Sequence, residues 1–258
     1  MRKFNKVPKN IGYFAYRWGS TLFDPLKTIK GLYNFPRYFR DLFVYSKTRG
    51  AEPVNILDTY PTLDEKTSTT PFDSHYLYQD LWAFKKIYLS KTKSHYDVGS
   101  NIEFVAFLSA VTKVIFVDIR PLEATLANFE SIKGDILDLP FATGSISSLS
   151  CLHVAEHIGL GRYGDSLDPA GTRKACRELS RVLAPQGNLY FSLPVGKPRL
   201  CFNAHRIHSP GKIIKYFQGL ELLELSGIDD SGKFVENIDI KILEQSNYAC
   251  GLFLFTKK

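Results

Sequence analysis

A chain of 258 residues with 44% hydrophobic and 23% charged side chains has the balance of a globular protein, which excludes a disordered or fibrous one and suits one large domain with an extension. The four cysteines, Cys151, Cys176, Cys201 and Cys250, contain no CxxC pair, which argues against a zinc ribbon or a dithiol redox centre and fits a reducing cytoplasm. The net charge of +7 is uneven: residues 1–50 carry eleven basic and two acidic side chains, a balance of +9, so the remainder is slightly acidic and nucleic-acid binding is not expected.

The sequence divides into a basic, aromatic, helical extension over 1–50, a loop and helix over 51–93, and an α/β domain over 94–258. No apolar core follows the basic start, and no apolar run approaches the ~20 residues of a membrane span, so a cytoplasmic protein is expected. Within the extension, aromatics from Tyr13 and Phe14 to Tyr45 interleave with the charges. Asp24-Pro25 reads as a helix start, with Asp24 as cap and Pro25 at the first helical position. Leu26, Ile29 and Tyr33 continue it at helical spacing, Pro36 is expected to break or kink it, and Phe39, Leu42 and Phe43 give a second stripe. Two roles stay open for this segment: peripheral contact with an anionic membrane or acidic partner, or packing of its aromatics on the main domain.

Residues 51–75 read as a loop. Asp73 or Ser74 then caps a helix to about residue 89, with Leu77, Leu81, Phe84 and Tyr88 as its apolar face. Strands are expected up to Val98, over 113–117, around Ile132, and over 146–152 and 189–193. Helices are expected over 102–111, 122–129 and 169–183, and from Ser209-Pro210 to Phe217. Runs over 220–225 and 250–255 would form the far edge, and Cys151 reads as a core residue. Such alternation means βαβ units and a mostly parallel sheet, whose ligands sit outside the carboxyl ends of the strands. Those ends carry Asp97, Asp118, Asp135 and the group His153, Glu156 and His157.

Five segments, YDVGSN, FVDIRP, GDILDLPF, LHVAEHI and RELSRVLAPQGNLYFSLP, resemble in this order the motifs of class I S-adenosylmethionine-dependent methyltransferases, from about Tyr78 onward. LHVAEHIGLGRYGDSLDP and CFNAHRIHSP, within a match over nearly all of 51–235, resemble more closely a methyltransferase-like family of unassigned function. The resemblance implies a Rossmann-like sheet with helices on both faces. It also implies methyl transfer from S-adenosylmethionine to a small polar acceptor, such as a sugar or nucleotide-sugar of surface-polysaccharide synthesis. Asp97, Gly99, Ser100, Asn101, Asp118, Ile119, Asp135 and Ile136 would then bind the cofactor. Gly99 would make the tight turn, Asp118 would accept from the ribose hydroxyls, and Asp135 from the adenine amino group beside Ile136. An Asp after a strand is equally a turn or helix cap. Asn101 and Glu103 stand where the motif has its second and third glycines. A left-handed Asn101 would keep the turn, while Glu103 would repel the cofactor carboxylate yet suit a helix start. The rival reading is a non-catalytic protein of this fold that binds a partner or membrane through residues 1–50.

His153-x-x-Glu156-His157 has the spelling of a zinc peptidase motif, but it follows a strand and not a helix, so no metal is expected. It reads either as a turn with a buried histidine or as an acceptor pocket with His153 and His157 as bases. Glu156, together with Arg162, Tyr163 and Asp165 of the glycine-rich loop 159–168 and with His205 and Arg206, completes the candidate acceptor site. The loop is a candidate lid, and its alternative is an ordinary surface loop.

Overall fold

Short runs of β-branched and aromatic residues, most buried on both faces, build one eight-stranded sheet. In the computed structural model, which describes Gly12, Tyr16, residues 18–20 and residues 23–258, the chain forms two units, residues 1–72 and 73–258. Arg2, Lys3, Lys6, Lys9, Arg17, Tyr13 and Phe14 of the basic, aromatic extension lie outside the described residues.

In the first unit the helix α1 (Pro25–Lys47) starts as its sequence dictates: Pro25 needs no donor, and Asp24 Oδ1 accepts from the Lys27 N–H at 3.0 Å. Of the break or kink expected at Pro36, the break does not occur, and the helix runs on through that residue. A proline removes one N–H from the ladder, and the bonds on either side carry the helix past it. No residue of α1 is buried, and Lys30 pairs with Asp64 at 3.0 Å.

The second unit holds α2 (Ser74–Ser90), β1 (Ser94–Val98), α3 (Ile102–Leu108), β2 (Lys113–Asp118), β3 (Phe129–Lys133), β4 (Ile146–Leu152), α4 (Gly171–Val182) and β5 (Leu183–Val195). There follow β6 (Arg199–Cys201), β7 (His205–Ile207), α5 (Pro210–Tyr216), β8 (Glu221–Ile228), β9 (Phe234–Val235), α6 (Ile240–Gln245) and β10 (Ala249–Thr256). The sheet order is β3-β2-β1-β4-β5-β10-β8-β9; the first five strands are parallel and β10 is antiparallel to β5 and β8. One core joins the sheet to α4, α5 and α6 through Leu179, Val182, Ile213, Phe217 and Leu243. A second joins the sheet to α2 and α3 through Trp82, Ile87, Phe104 and Leu108. Helices therefore cover both faces, as the sequence implied.

Four expectations are corrected. Residues 122–129 are not a helix: Leu122 donates to Ser131 Oγ at 2.9 Å, and Phe129 opens β3 with its ring 6.1 Å from that of Phe116. The run 250–255 is not an edge. Its apolar side chains are buried between β5 and β8, and the short β9 is outermost. The helix after Asn101 stops at Leu108, where the N–H groups of Ala110 and Val111 turn to the carbonyls of Phe107 and Leu108. In α2 the buried face is Gln79, Trp82, Ala83 and Ile87, while Leu77, Leu81 and Tyr88 are exposed. Polar anchors turn the helix: Trp82 Nε1 donates to Glu224 at 3.0 Å, Lys86 pairs with Glu224 at 2.5 Å, and Gln79 meets the sheet residues described below. Among the described residues no helix is long and apolar enough to cross a membrane.

Candidate active site

Register places the carboxyl ends of β1, β2 and β4 side by side, with Val98 opposite Val117 and Asp97 opposite both Phe116 and Ser150. Asp97 is fully buried. One oxygen accepts the Ser100 N–H at 3.0 Å and the other the Ser150 hydroxyl. Ser150 Oγ also lies 2.8 Å from His95 Nε2, and His95 Nδ1 lies 2.8 Å from Ser148 Oγ, so a closed polar chain runs under the rim. Burial lifts Asp97 to about 6 and drops His95 to about 3.

Gly99 has φ +69°, and a Cβ there would stand 3.2 Å from Val154 and 3.6 Å from Asp118 Oδ2. The turn between β1 and α3 thus passes close to the ends of β2 and β4. Ser100 Oγ accepts the Leu152 N–H at 3.0 Å, which pins the turn to β4. Asn101 does not adopt the expected left-handed conformation. At φ −57° it caps α3 by accepting from the Glu103 N–H at 3.2 Å, and it donates to Asp80 Oδ2 at 3.1 Å. One positive φ suffices for this turn, so the second motif position has no need of glycine. Glu103 is exposed on the first turn of α3.

Asp118 Oδ1 accepts the Arg120 N–H at 2.7 Å, and Ile119 is half-buried beside it. Asp135 is exposed and closes its own turn onto the Leu137 N–H at 2.8 Å, while Ile136 is buried.

After β4, His153 is held at φ +57°, a conformation that strains a non-glycine residue. Gln79 Oε1 accepts from His153 Nδ1 and from the Ser192 hydroxyl, each at 2.6 Å, which leaves His153 Nε2 as a buried lone pair without a partner. Burial, reinforced by neighbouring histidines, keeps this imidazole neutral. Glu156 is fully buried, neither carboxyl oxygen has a hydrogen-bond partner, and burial lifts it to about 8. His157 Nδ1 meets the Ala204 carbonyl at 2.5 Å and its Nε2 lies 3.7 Å from Glu156 Oε1; burial lowers His157 to about 4.

The loop 159–168 is tied at its base. Gly159 (φ +80°) lies so close to Asp168 that a Cβ would meet its carbonyl oxygen. Arg206 donates to the carbonyls of Ile158 at 2.5 Å and Asp168 at 3.0 Å, and Asp165 accepts from the N–H groups of Gly159, Leu160 and Tyr163. Arg206 and Asp165 therefore shape the loop, and both are occupied by backbone groups. The Tyr163 ring takes the guanidinium of Arg120 at 4.6 Å and that of Arg162 at 5.0 Å, joining the loop to the end of β2. His205 lies with its ring 6.5 Å from His157 and 5.4 Å from Tyr248.

Sequence reasoning did not pick out Gln79, Asp80, Tyr76 and His75 of α2, Ser192 and Cys250 of the sheet, or Tyr248 just before β10. A signal existed for Gln79 alone: it shares a helical face with Trp82, Ala83 and Ile87, where a polar residue is unusual. Within residues 73–258 the buried side-chain atoms without hydrogen-bond partners are Gln79 Nε2, Asp80 Oδ1, His153 Nε2 and both oxygens of Glu156. Such atoms need a reason in a folded protein. The arrangement offers a backbone cradle at Gly99, carboxylates at Asp118 and Asp80, and a neutral base.

Solved structures that share this fold include a putative sarcosine dimethylglycine methyltransferase from Galdieria sulphuraria, with 15% identity and TM-score 0.50 over 69% of this chain and 85% of that one. Geranyl diphosphate methyltransferase in complex with SAM is another, at 12% identity and TM-score 0.50 over 70% of this chain and 85% of that one. At such identities the likeness shows the class I methyltransferase fold. Among curated proteins, no sequence matches the chain. The family described as "Caenorhabditis protein of unknown function, DUF268" matches residues 96–248, a span over half the chain that reaches from β1 to Tyr248, and the chain belongs to that family.

Proposed function

We propose that the protein transfers the methyl group of S-adenosylmethionine to a small polar acceptor. The observation that carries this reading is the Gly99 turn beside Asp118, continued by Asn101, which donates to Asp80, whose other carboxyl oxygen is buried without a partner. The residues fit the cofactor. Asp118 and Ile119 would take the ribose and one side of the adenine, and Asp135 and Ile136 the other. Asp80, beside Asn101, would meet the ammonium. Bound there, the cofactor supplies an electrophilic methyl group on a sulfonium. The protein's part is to align the acceptor, exclude water and move a proton. His153 is neutral, with Nε2 unpartnered, and would remove the proton if the acceptor is a hydroxyl, as in a sugar or nucleotide-sugar; His157 stands beside Glu156 as a second base.

Titration calorimetry with S-adenosylmethionine and its demethylated product tests this. Asp118→Ala is expected to weaken binding by roughly 1–3 kcal/mol, the scale of lost charge-assisted hydrogen bonds. No binding by the wild-type protein at millimolar cofactor overturns the reading.

A second reading rests on α1, whose Leu32, Phe39 and Phe43 are exposed within a segment of strongly positive charge. It makes residues 1–50 a peripheral contact for an anionic membrane or acidic partner, alongside catalysis or in place of it.

A further inference from the structure

Resting on the methyl-transfer reading, we infer that the acceptor atom is an amine nitrogen, held as an ammonium by Glu156. A fully buried carboxyl with two unpartnered oxygens is costly, and a partner that arrives with the ligand accounts for its persistence. The neighbouring unpartnered atoms have the same polarity. His153 Nε2 is an acceptor because Nδ1 donates to Gln79, and Asp80 Oδ1 is another; only Gln79 Nε2 is a donor. With Asp80 left to the cofactor, His153 Nε2 and the two oxygens of an ionised Glu156 are three acceptors that lack a donor. An ammonium brings three, whereas a hydroxyl brings one.

The surroundings of Glu156 fit an organic cation. Tyr76 of α2, Tyr248 just before β10 and Cys250 within it lie in electrostatic reach of its carboxyl, as does Arg162 from the loop. His157 is the nearest base, and Arg162 donates to the Ala204 carbonyl at 3.0 Å. Rings continue around this group. Tyr76 and His75 lie 5.4 and 5.7 Å from His153, His75 stacks on Tyr248 at 5.2 Å, and Tyr248 leads to His205 at 5.4 Å. Aromatic faces beside one carboxylate attract an alkylammonium and offer little to a neutral alcohol.

At neutral pH the empty Glu156 is mostly protonated, because burial holds it near 8, so ammonium binding displaces that proton. For transfer, the bound ammonium returns one proton to Glu156, with His157 Nε2 next in line at 3.7 Å. The freed nitrogen lone pair then forms the bond to the sulfonium methyl carbon as the carbon–sulfur bond breaks. That bond's electron pair leaves with sulfur, giving a neutral thioether and a methylated ammonium.

The test is titration calorimetry of the full chain with matched probes: glucosamine against glucose, and 1,5-diaminopentane against 1,5-pentanediol. Each is run with and without the demethylated cofactor, in two buffers of different ionisation enthalpy. We expect at least one amine to bind ten-fold or more tightly than its hydroxyl partner, with proton release. Glu156→Gln should abolish that preference and change affinity for the demethylated cofactor less than two-fold. No amine binding better than its hydroxyl partner, or an unchanged preference in Glu156→Gln, overturns the inference. Amine preference without any cofactor binding would instead overturn methyl transfer and leave the amine site standing.

Discussion

Glu156 also sets the response of stability to pH. Its carboxyl sits near 4.5 in an ordinary setting and near 8 in the folded protein, so the native state binds its proton more tightly than the unfolded state. A raised carboxyl gives stability that is complete below the ordinary value and is lost as pH rises through about 8. Asp97 and Asp80, both lifted to about 6 chiefly by burial, act with the same sign at lower pH. His95 and His157, lowered by burial, act oppositely and only as pH falls below about 6.5. Between pH 7 and 8 Glu156 therefore dominates this set, with a slope of at most ~1.4 kcal/mol per pH unit. Denaturant unfolding at the two pH values is expected to show a less stable wild type at pH 8 and little difference for Glu156→Gln. A Glu156→Gln protein with the full wild-type slope would contradict this assignment.

Helix α2 shows how an element with two partly apolar faces chooses one. Leu77, Leu81, Phe84 and Tyr88 form the more obvious stripe, yet Trp82, Ala83 and Ile87 enter the core. Glu224 on β8 satisfies the indole N–H and Lys86, and Ser192 with His153 satisfies the Gln79 carbonyl oxygen, so the buried face is the one anchored by polar partners on the sheet, with the Gln79 amide nitrogen alone unpaired. The expected ranking follows. Trp82→Ala should cost ~3–5 kcal/mol, the usual loss for a buried aromatic. Leu81→Ala, at an exposed position, should stay within ~0.5 kcal/mol. Thermal or denaturant unfolding of the two variants measures this, and the reverse order would mean that α2 faces the other way.

For the whole molecule, charge and exposed apolar surface concentrate at the amino-terminal end. Residues 1–50 carry +9, and α1 exposes Ile29, Leu32, Tyr33, Phe39 and Phe43. An amphipathic basic helix binds anionic lipid through both features, and salt screens the charged part. Co-sedimentation of the full chain with phosphatidylserine-containing vesicles should fall on Phe39→Glu with Phe43→Glu, and in high salt. Sedimentation unaffected by either would remove the membrane-contact reading.

The order and placement of β1 to β5, and the rim where Asp97, Asp118 and the 153–157 group emerge, were legible because they follow from local periodicity and punctuation. The Asp24 cap, and Asp73 as one of two candidates with Ser74, were legible for the same reason: each aspartate side chain bonds to the first turn of its own helix. Local chemistry was insufficient wherever distant segments compete for one place. Phe129 belongs to a strand because β2 offers it Phe116, and β10 is central because β5 and β8 both pair with it. The candidate site depended on such meetings. Nothing within LHVAEHI tells that Gln79, some seventy residues earlier, fixes the His153 tautomer, or that Arg206 is occupied by the carbonyls of Ile158 and Asp168. A side chain's type is written in the sequence. Whether its hydrogen bonds are filled or left for a ligand is decided only when the fold brings the other partners within reach.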